Sequence, residues 1–309
     1  MTDYDGQSGF NGNNVTGTKL DTVVVWTGTA LPVGVANKVP QYGKFLLLDS
    51  LSTPTTATWY IQTSATLSSP NFVVIPLVPE AHFDTDQIKA YYKFNEQSGN
   101  IVNVARLIGS TDSLEAEDLT VSGATYSVAG KIGTCLSFDG VNDYAKGQTA
   151  LNWKFLNDAN DWSFSLWFKN STPEWANDNV ILSSCDASAT NGIIFDVRDT
   201  GDIRCIITKA TVGVGGTWNT NFSDSNWKHY IVTYDNTAHE LELWCDGVSK
   251  GTISTTIPSG NTPDHPIYFM DPVYGGALQG LLDEVIFFKR KITSAEIAVL
   301  YGSGSGFAL

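Results

Sequence analysis

Residues 135–147 read "CLSFDGVNDYAKG". Leu136 and Phe138 alternate with polar neighbours, as in a half-buried strand. Asp139 and Gly140 then turn the chain, and Asp143-Tyr144 open a further strand. Aspartate before glycine is a turn device, because the carboxylate accepts backbone N–H groups and glycine takes a positive φ. This stretch therefore joins one strand to the next.

The same pattern recurs on both sides. Strand-like runs follow at 89–95, 135–140, 162–170, 179–184, 192–199, 202–209, 227–235, 239–247, 266–271 and 281–290. In "FSLWFK", Phe164, Leu166 and Phe168 share one face. One segment, "TSAEIAVLY" (293–301), reads as a short helix. Thr293 or Ser294 caps it, and Glu296 lies in the first turn, where the helix dipole favours an acid. Ten or more short strands with a terminal helix predict an all-β, two-layer antiparallel sandwich over 88–309, which the resemblance given below makes a jelly-roll. Its expected core includes Phe94, Phe138, Leu166, Phe168, Ile231 and Val285.

Residues 1–87 differ. The first 20 are polar and rich in Gly and Asn. Four short β-like runs follow, at 22–26, 44–49, 56–63 and 71–78. A unit of roughly 60 residues is near the lower limit for an independent core. Its few, Pro-punctuated strands leave edges that need partners. Residues 1–87 are therefore expected to be a small β-rich anchoring and oligomerisation region.

Composition excludes several classes. With 32 acidic against 18 basic residues the net charge is −14, which argues against binding nucleic acid, since phosphate contacts need clustered Lys and Arg. No apolar window is long enough to span a membrane. The N-terminus lacks the basic and apolar regions of a signal peptide. Cys135, Cys185, Cys205 and Cys245 contain no C-x-x-C pair and lie in apolar strand text, which favours buried thiols over zinc ligands.

Catalytic patterns are also missing. Glycoside hydrolysis needs two carboxylates about 5–9 Å apart, and no strand offers Glu-x-Asp-x-Glu spacing. "EAED" (115–118) has the wrong spacing, and Asp283 and Glu284 fall on opposite strand faces. His229 in "WKHY" reads as structural. "GVGGTW" (213–218) lacks the Lys and helix of a phosphate loop. Trp167 and Trp227 read as core, whereas Trp244, opposite Leu243 and Cys245, is expected on a sheet face. Trp153, Trp175, Trp218 and Tyr274 fall in loops, where aromatic rings stack on sugars, anchor protein contacts or close the ends of a sandwich. These four are the candidate ligand-binding residues.

Six segments, in order, resemble the laminin-G-like and concanavalin A-like jelly-roll domains over about 89–301. They are "AYYKFNEQSG", "VAGKIGTCLSFDGVNDYAKG", "WSFSLWFK", "NWKHYIVTYD", "LELWCDGVSKG" and "GLLDEVIFFKRKITSAEIAVLY". The resemblance implies a calcium ion in some members, here with Asp139 and Asp283 as the candidate ligands. It departs at "STDSLEAEDLTV" (110–121), which lacks the family's Gly turn. No catalysis is expected. The anticipated role is a virion surface or decoration protein, as on a tailed phage. Residues 1–85 would attach to the capsid or another large assembly as a homo-oligomer, with a trimer as first choice, and the jelly-roll would face outward to host-surface glycans. The alternative is a secreted or cell-surface carbohydrate-binding module.

Overall fold

The structure is a computed structural model. It describes the backbone of four short strands within 1–86, then residues 87–307 apart from 109–116, 172–178, 199, 221–224, 271–273 and 275. Trp175 and the polar arm of residues 1–20 lie outside the described residues. The chain divides into two compact units, Met1–His82 and Phe83–Leu309.

The first unit carries one sheet of β1 (Val24–Trp26), β2 (Leu46–Asp49), β3 (Thr58–Gln62) and β4 (Phe72–Pro76) in that order. Each strand lies within one of the apolar runs of the sequence. β1 pairs parallel with β2, and the other two pairings are antiparallel.

The second unit is a sandwich of two sheets. The first has the order β17 (Val248–Ser254), β16 (Glu240–Cys245), β15 (Trp227–Asp235), β10 (Trp162–Asn170), β20 (Gln279–Phe288), β8 (Thr134–Asp139) and β7 (Thr125–Ala129). β5 (Ile88–Tyr92) pairs with the C-terminal half of β20 beyond the reach of β8. The second sheet has the order β14 (Val212–Trp218), β13 (Ile203–Lys209), β12 (Gly192–Val197), β11 (Asn179–Ser183), β18 (Tyr268–Phe269), β9 (Tyr144–Lys146) and β6 (Thr120–Ser122). Pairings in both sheets are antiparallel, except that the two-residue β19 (Gly276–Ala277) runs parallel to β11.

Alternation decides which side chains meet between the sheets. Trp162, Phe164, Leu166 and Phe168 of β10 point inward with Tyr230, Val232 and Tyr234 of β15, against Ile193, Phe195, Ile203 and Cys205 of the opposite sheet. Phe164 meets Phe195 edge-on at 5.1 Å, a favoured aromatic geometry. Phe94, Phe138 and Val285 join this core as expected.

Ile231 is buried elsewhere. It is the odd-numbered neighbour of Tyr230 and Val232, so it faces outward, into a second cluster with Tyr91, Ile286, Phe288, Ile297 and Leu300. Helix α1 (Ser294–Tyr301) covers that face. Its start is a capping box: Thr293 Oγ1 accepts the Glu296 N–H, and the Glu296 carboxylate accepts the Thr293 N–H at 2.8 Å. Arg290 clamps Glu296 from the strand side at 2.9 and 2.5 Å, tying the helix to the end of β20. Trp167 also faces outward, stacked 4.6 Å from His229 beneath Tyr301. Trp227, expected in the core, is half-buried.

Candidate functional site

The outer face of the second sheet follows from its register. Thr120, Lys146, Tyr268, Ser183, Ile194 and Ile206 form one cross-strand row. Tyr144, Asp196 and Arg204 project from the same face. Ala145 and Phe269, the neighbours of opposite parity, are buried in the core.

At one end, the Tyr144 and Tyr268 rings lie 5.6 Å apart, inclined at 49°. Lys146 Nζ sits 5.8 Å from the first ring centre and 5.6 Å from the second, within cation–π reach of both. His265 lies 6.1 Å from Tyr268. Farther along, Arg204 grips Asp196 through Nε at 3.0 Å and through a second, shorter contact. Tyr274 meets the Arg204 side chain there, and burial raises its phenol above the ordinary value. Four strand spacings separate β9 from β13, about 19 Å. Ser183, Ile194 and Asp196 between them are fully buried, so the Tyr144–Lys146–Tyr268 cluster and the Arg204–Tyr274 pair are separate patches.

The polar atoms of this face differ from those elsewhere. Among the described residues, the Tyr144 and Tyr268 hydroxyls and the Lys146 ammonium make no hydrogen bond or ion pair. By contrast, the groove of about 310 Å³ lined by Glu242, Trp244, Lys291, Thr293 and Ile297 has most of its polar groups paired internally, the Trp244 indole N–H excepted. Lys291 holds Asp235 at 3.3 Å, Glu242 accepts the Ser249 hydroxyl at 2.6 Å, and Thr293 is committed to the helix cap. Trp244 does lie on a sheet face, half-buried against the second cluster.

The sequence candidates are dispersed. Trp153 is fully buried in a 3-10 turn (Ala150–Leu156), 4.9 Å from Phe287, with its indole N–H on Glu117. Trp218, at the end of β14, is 4% exposed and donates to the Gly251 carbonyl at 2.9 Å. Both are core residues, not stacking platforms, because each loop folds its indole inward onto an acceptor. Tyr274 alone of the described three lies on the sheet face. Tyr144, Lys146 and Tyr268 were not singled out from sequence. Their signal was the parity of "YAK" and "YF", with a core residue beside each tyrosine.

Asp139 and Asp283 do not converge. Asp139 pairs across the sheet with Gln279, four residues from Asp283, a separation of about 13 Å along the strand. Asp139 Oδ1 accepts the Val141 N–H at 2.8 Å, closing the turn, while the Asp139 N–H donates to Asp143 at 2.9 Å. The buried Asp283 carboxylate accepts the N–H groups of Lys131, Ile132 and Glu284 at 2.7–2.9 Å. Burial, reinforced by the nearby Glu284, pushes Asp283 up to about 8 against the pull of these donors. The pair is thus bound to backbone at two separate places and does not form one calcium site. Among the described residues no group of three His, Cys, Asp or Glu side chains is placed to hold a metal.

His229 is structural, as its motif suggested. Its Nε2 lies 2.8 Å from Ser165 Oγ, and burial pushes its imidazole down to about 3. None of the four cysteines is in a disulfide, and all are buried.

The fold is shared with several binding domains. Residues 139–298 match the sequence profile Laminin_G_3 of the concanavalin A-like lectin/glucanases superfamily. The binding domain of botulinum neurotoxin DC, solved in complex with rat synaptotagmin II, superposes with a TM-score of 0.55 at 12% identity, over 71% of this chain and 52% of that one. A botulinum neurotoxin type C structure, whose cell entry depends on two ganglioside molecules, gives 0.53 at 11% identity, over 71% and 51%. Domain 4 of AbnA, an extracellular arabinanase from Geobacillus stearothermophilus in complex with arabinotriose, gives 0.51 at 14% identity, over 72% and 98%. The chain spans about half the length of the toxin domains. No curated protein matches the sequence. The profile covers just over half of the 309 residues, and the sheet order and helix described above are those of a jelly-roll. The chain belongs to the concanavalin A-like lectin/glucanases superfamily.

Proposed function

We propose that the second unit is a non-catalytic glycan-binding module that holds a saccharide on the Tyr144–Lys146–Tyr268 face. The observation that carries this reading is the set of aromatic and polar side chains on one sheet face whose polar atoms have no internal partner. Saccharides are held by ring stacking and by hydrogen bonds to such groups. The likeness in fold to domains solved with sugars or linked to glycolipid entry supports the same reading.

Catalysis does not fit the face. Asp196 is the one carboxylate that the register of β6, β9, β11–β14 and β18 places there, and Arg204 holds it in an ion pair. A second acid for glycoside cleavage is missing from those strands.

The setting proposed is a virion surface, with the sheet of residues 24–76 and its polar leader joining a homo-oligomer, a trimer, to the larger assembly. It rests on the sequence reading: few, short, Pro-punctuated strands after a polar arm. The same face would serve a secreted binding module. Sedimentation of the full chain separates the two settings, a stable oligomer favouring the first and a monomer the second.

The test of binding is a glycan array probed with the full chain and with Tyr144→Ala. Binding of oligosaccharides that Tyr144→Ala weakens supports the reading. An array without a bound glycan, or binding indifferent to Tyr144, overturns it.

A further inference from the structure

Lys146 differs from the lysines that hold a carboxylate. Lys154, Lys228 and Lys291 each hold a carboxylate at 3.3 Å. Lys146 instead lies against two tyrosine rings, with no acid in contact. It lies directly across from Tyr268 on one side and Thr120 on the other.

The electron-rich faces of Tyr144 and Tyr268 favour the charged ammonium and restrict where its flexible stem can place it. The half-buried Tyr144 ring, with Tyr268 only 9% exposed beside it, therefore presents a flat apolar surface next to a positive charge. A neutral pyranose stacked here would cover the ammonium and strip its water without returning a counter-charge, a costly arrangement. A pyranose with an acidic substituent would stack in the same way and neutralise it. Charge-assisted hydrogen bonds of this kind are roughly twice as strong as neutral ones.

The protein's negative charge does not forbid this. At physiological salt, charges beyond about 8 Å are screened, so the local ammonium sets the interaction. The acids near His265 are already engaged: Asp186 accepts from Ser188 and Thr190, and Asp264 from Asn191.

We infer that the Tyr144–Lys146–Tyr268 cluster is a subsite for an acidic sugar, its ring on Tyr144 and its carboxylate or sulfate on Lys146 Nζ. This rests on the glycan-binding reading and names the class of sugar it takes.

The test uses the full chain and its Lys146→Gln and Lys146→Arg variants, titrated with sialyllactose, a glucuronate-containing oligosaccharide, a 6-sulfated galactoside and neutral lactose. Lys146 is half-exposed, so both variants are expected to fold, which a thermal melt checks. The expected result is tighter binding of at least one acidic ligand than of lactose, lowered about ten- to a hundredfold by Lys146→Gln, retained by Lys146→Arg and weakened by salt. The carboxylated and sulfated ligands tell which acid is preferred. Binding of neutral and acidic sugars alike, or acidic binding that Lys146→Gln leaves intact or that falls together with neutral binding, overturns the inference while glycan binding stands. Failure of every sugar, on the array as well, removes the glycan-binding reading itself.

Discussion

The carboxylate of Asp283 accepts the backbone N–H of Lys131 at 2.7 Å, across more than 150 residues of sequence. This bond joins "GKIG" to "LLDEV", two segments that resemble the family motifs separately. It also explains the first glycine of the turn, since a Cβ at Gly130 would lie 2.6 Å from Asp283 Oδ2 and 2.8 Å from the Thr134 carbonyl. Asp283→Ala leaves the turn amides without their acceptor and is expected to destabilise the fold by about 2–4 kcal/mol. Gly130→Ala should cost about 1–3 kcal/mol through the clash. Urea unfolding of both variants measures this; unchanged midpoints would mean the turn can leave Asp283 freely.

Stability is expected to fall as pH rises from about 6.5 to 8. Burial holds Asp283 up to about 8 and Glu284 up to about 7, whereas in the unfolded chain both ionise near 4. In that window the folded state binds more protons than the unfolded one, so raising the pH favours unfolding. Lys131, Lys93, the Cys135 thiol and the Tyr91 hydroxyl, which bonds Glu284, are other titratable groups around the pair. Below pH 6.5 the sign is opposed by His229. Its depressed value means that its contribution is lost as pH falls from 6.5 towards 3. Melting temperature against pH should therefore decline above 6.5. Glu284→Gln should flatten the decline, and an upward slope there would contradict the assignment.

Much of the architecture was legible because it rests on parity. The strands of "WSFSLWFKN" and "WKHYIVTYD" show their period in alternation, which divides their side chains between the inter-sheet core and a covered outer face, and both match β10 and β15 in extent. β14 was not read as a strand, because "VGVGGTW" is glycine-rich and carries no alternating signal. The reason is tertiary: a Cβ on Gly215 would lie 2.3 Å from the Cys205 carbonyl, and one on Gly216 2.5 Å from Ile253. Ile231 was assigned to the right burial but the wrong side, since the helix that covers the outer face lies 60 residues later. The site was less legible. Asp139 behaves as the turn residue its motif suggests, but whether Trp153 points out or in depends on Glu117, a partner 36 residues away.

The cysteines should be unreactive in the native protein. Burial pushes the Cys135 thiol up to about 12, with Asp283 adding to the shift, and Cys245 up to about 11, with Asp246 adding. Burial also raises Cys205. The thiolate is the reactive form, so little of it exists at neutral pH. A thiol-reactive chromophore is expected to label none of the four quickly under native conditions and all four in guanidinium. Rapid native labelling at one position would show that its strand opens locally.

Trp153 and Tyr144 should separate folding from binding. Trp153 is wholly buried, packed on Phe287 and anchored to Glu117, so Trp153→Ala removes a large core side chain and strands an acceptor. The expected loss is about 3–5 kcal/mol of stability. The protein that remains folded should still bind glycan, because the indole does not reach the sheet face. Tyr144 is half-buried, and its ring lies outside the core on the face that holds Lys146 and Tyr268. Tyr144→Ala should leave the melting temperature nearly unchanged and weaken glycan binding roughly three- to tenfold, the worth of one aromatic contact. Calorimetric titration of both variants alongside their thermal melts checks the contrast. If Trp153→Ala abolishes binding while the fold survives, or Tyr144→Ala unfolds the domain without touching affinity, the binding face has been placed on the wrong sheet.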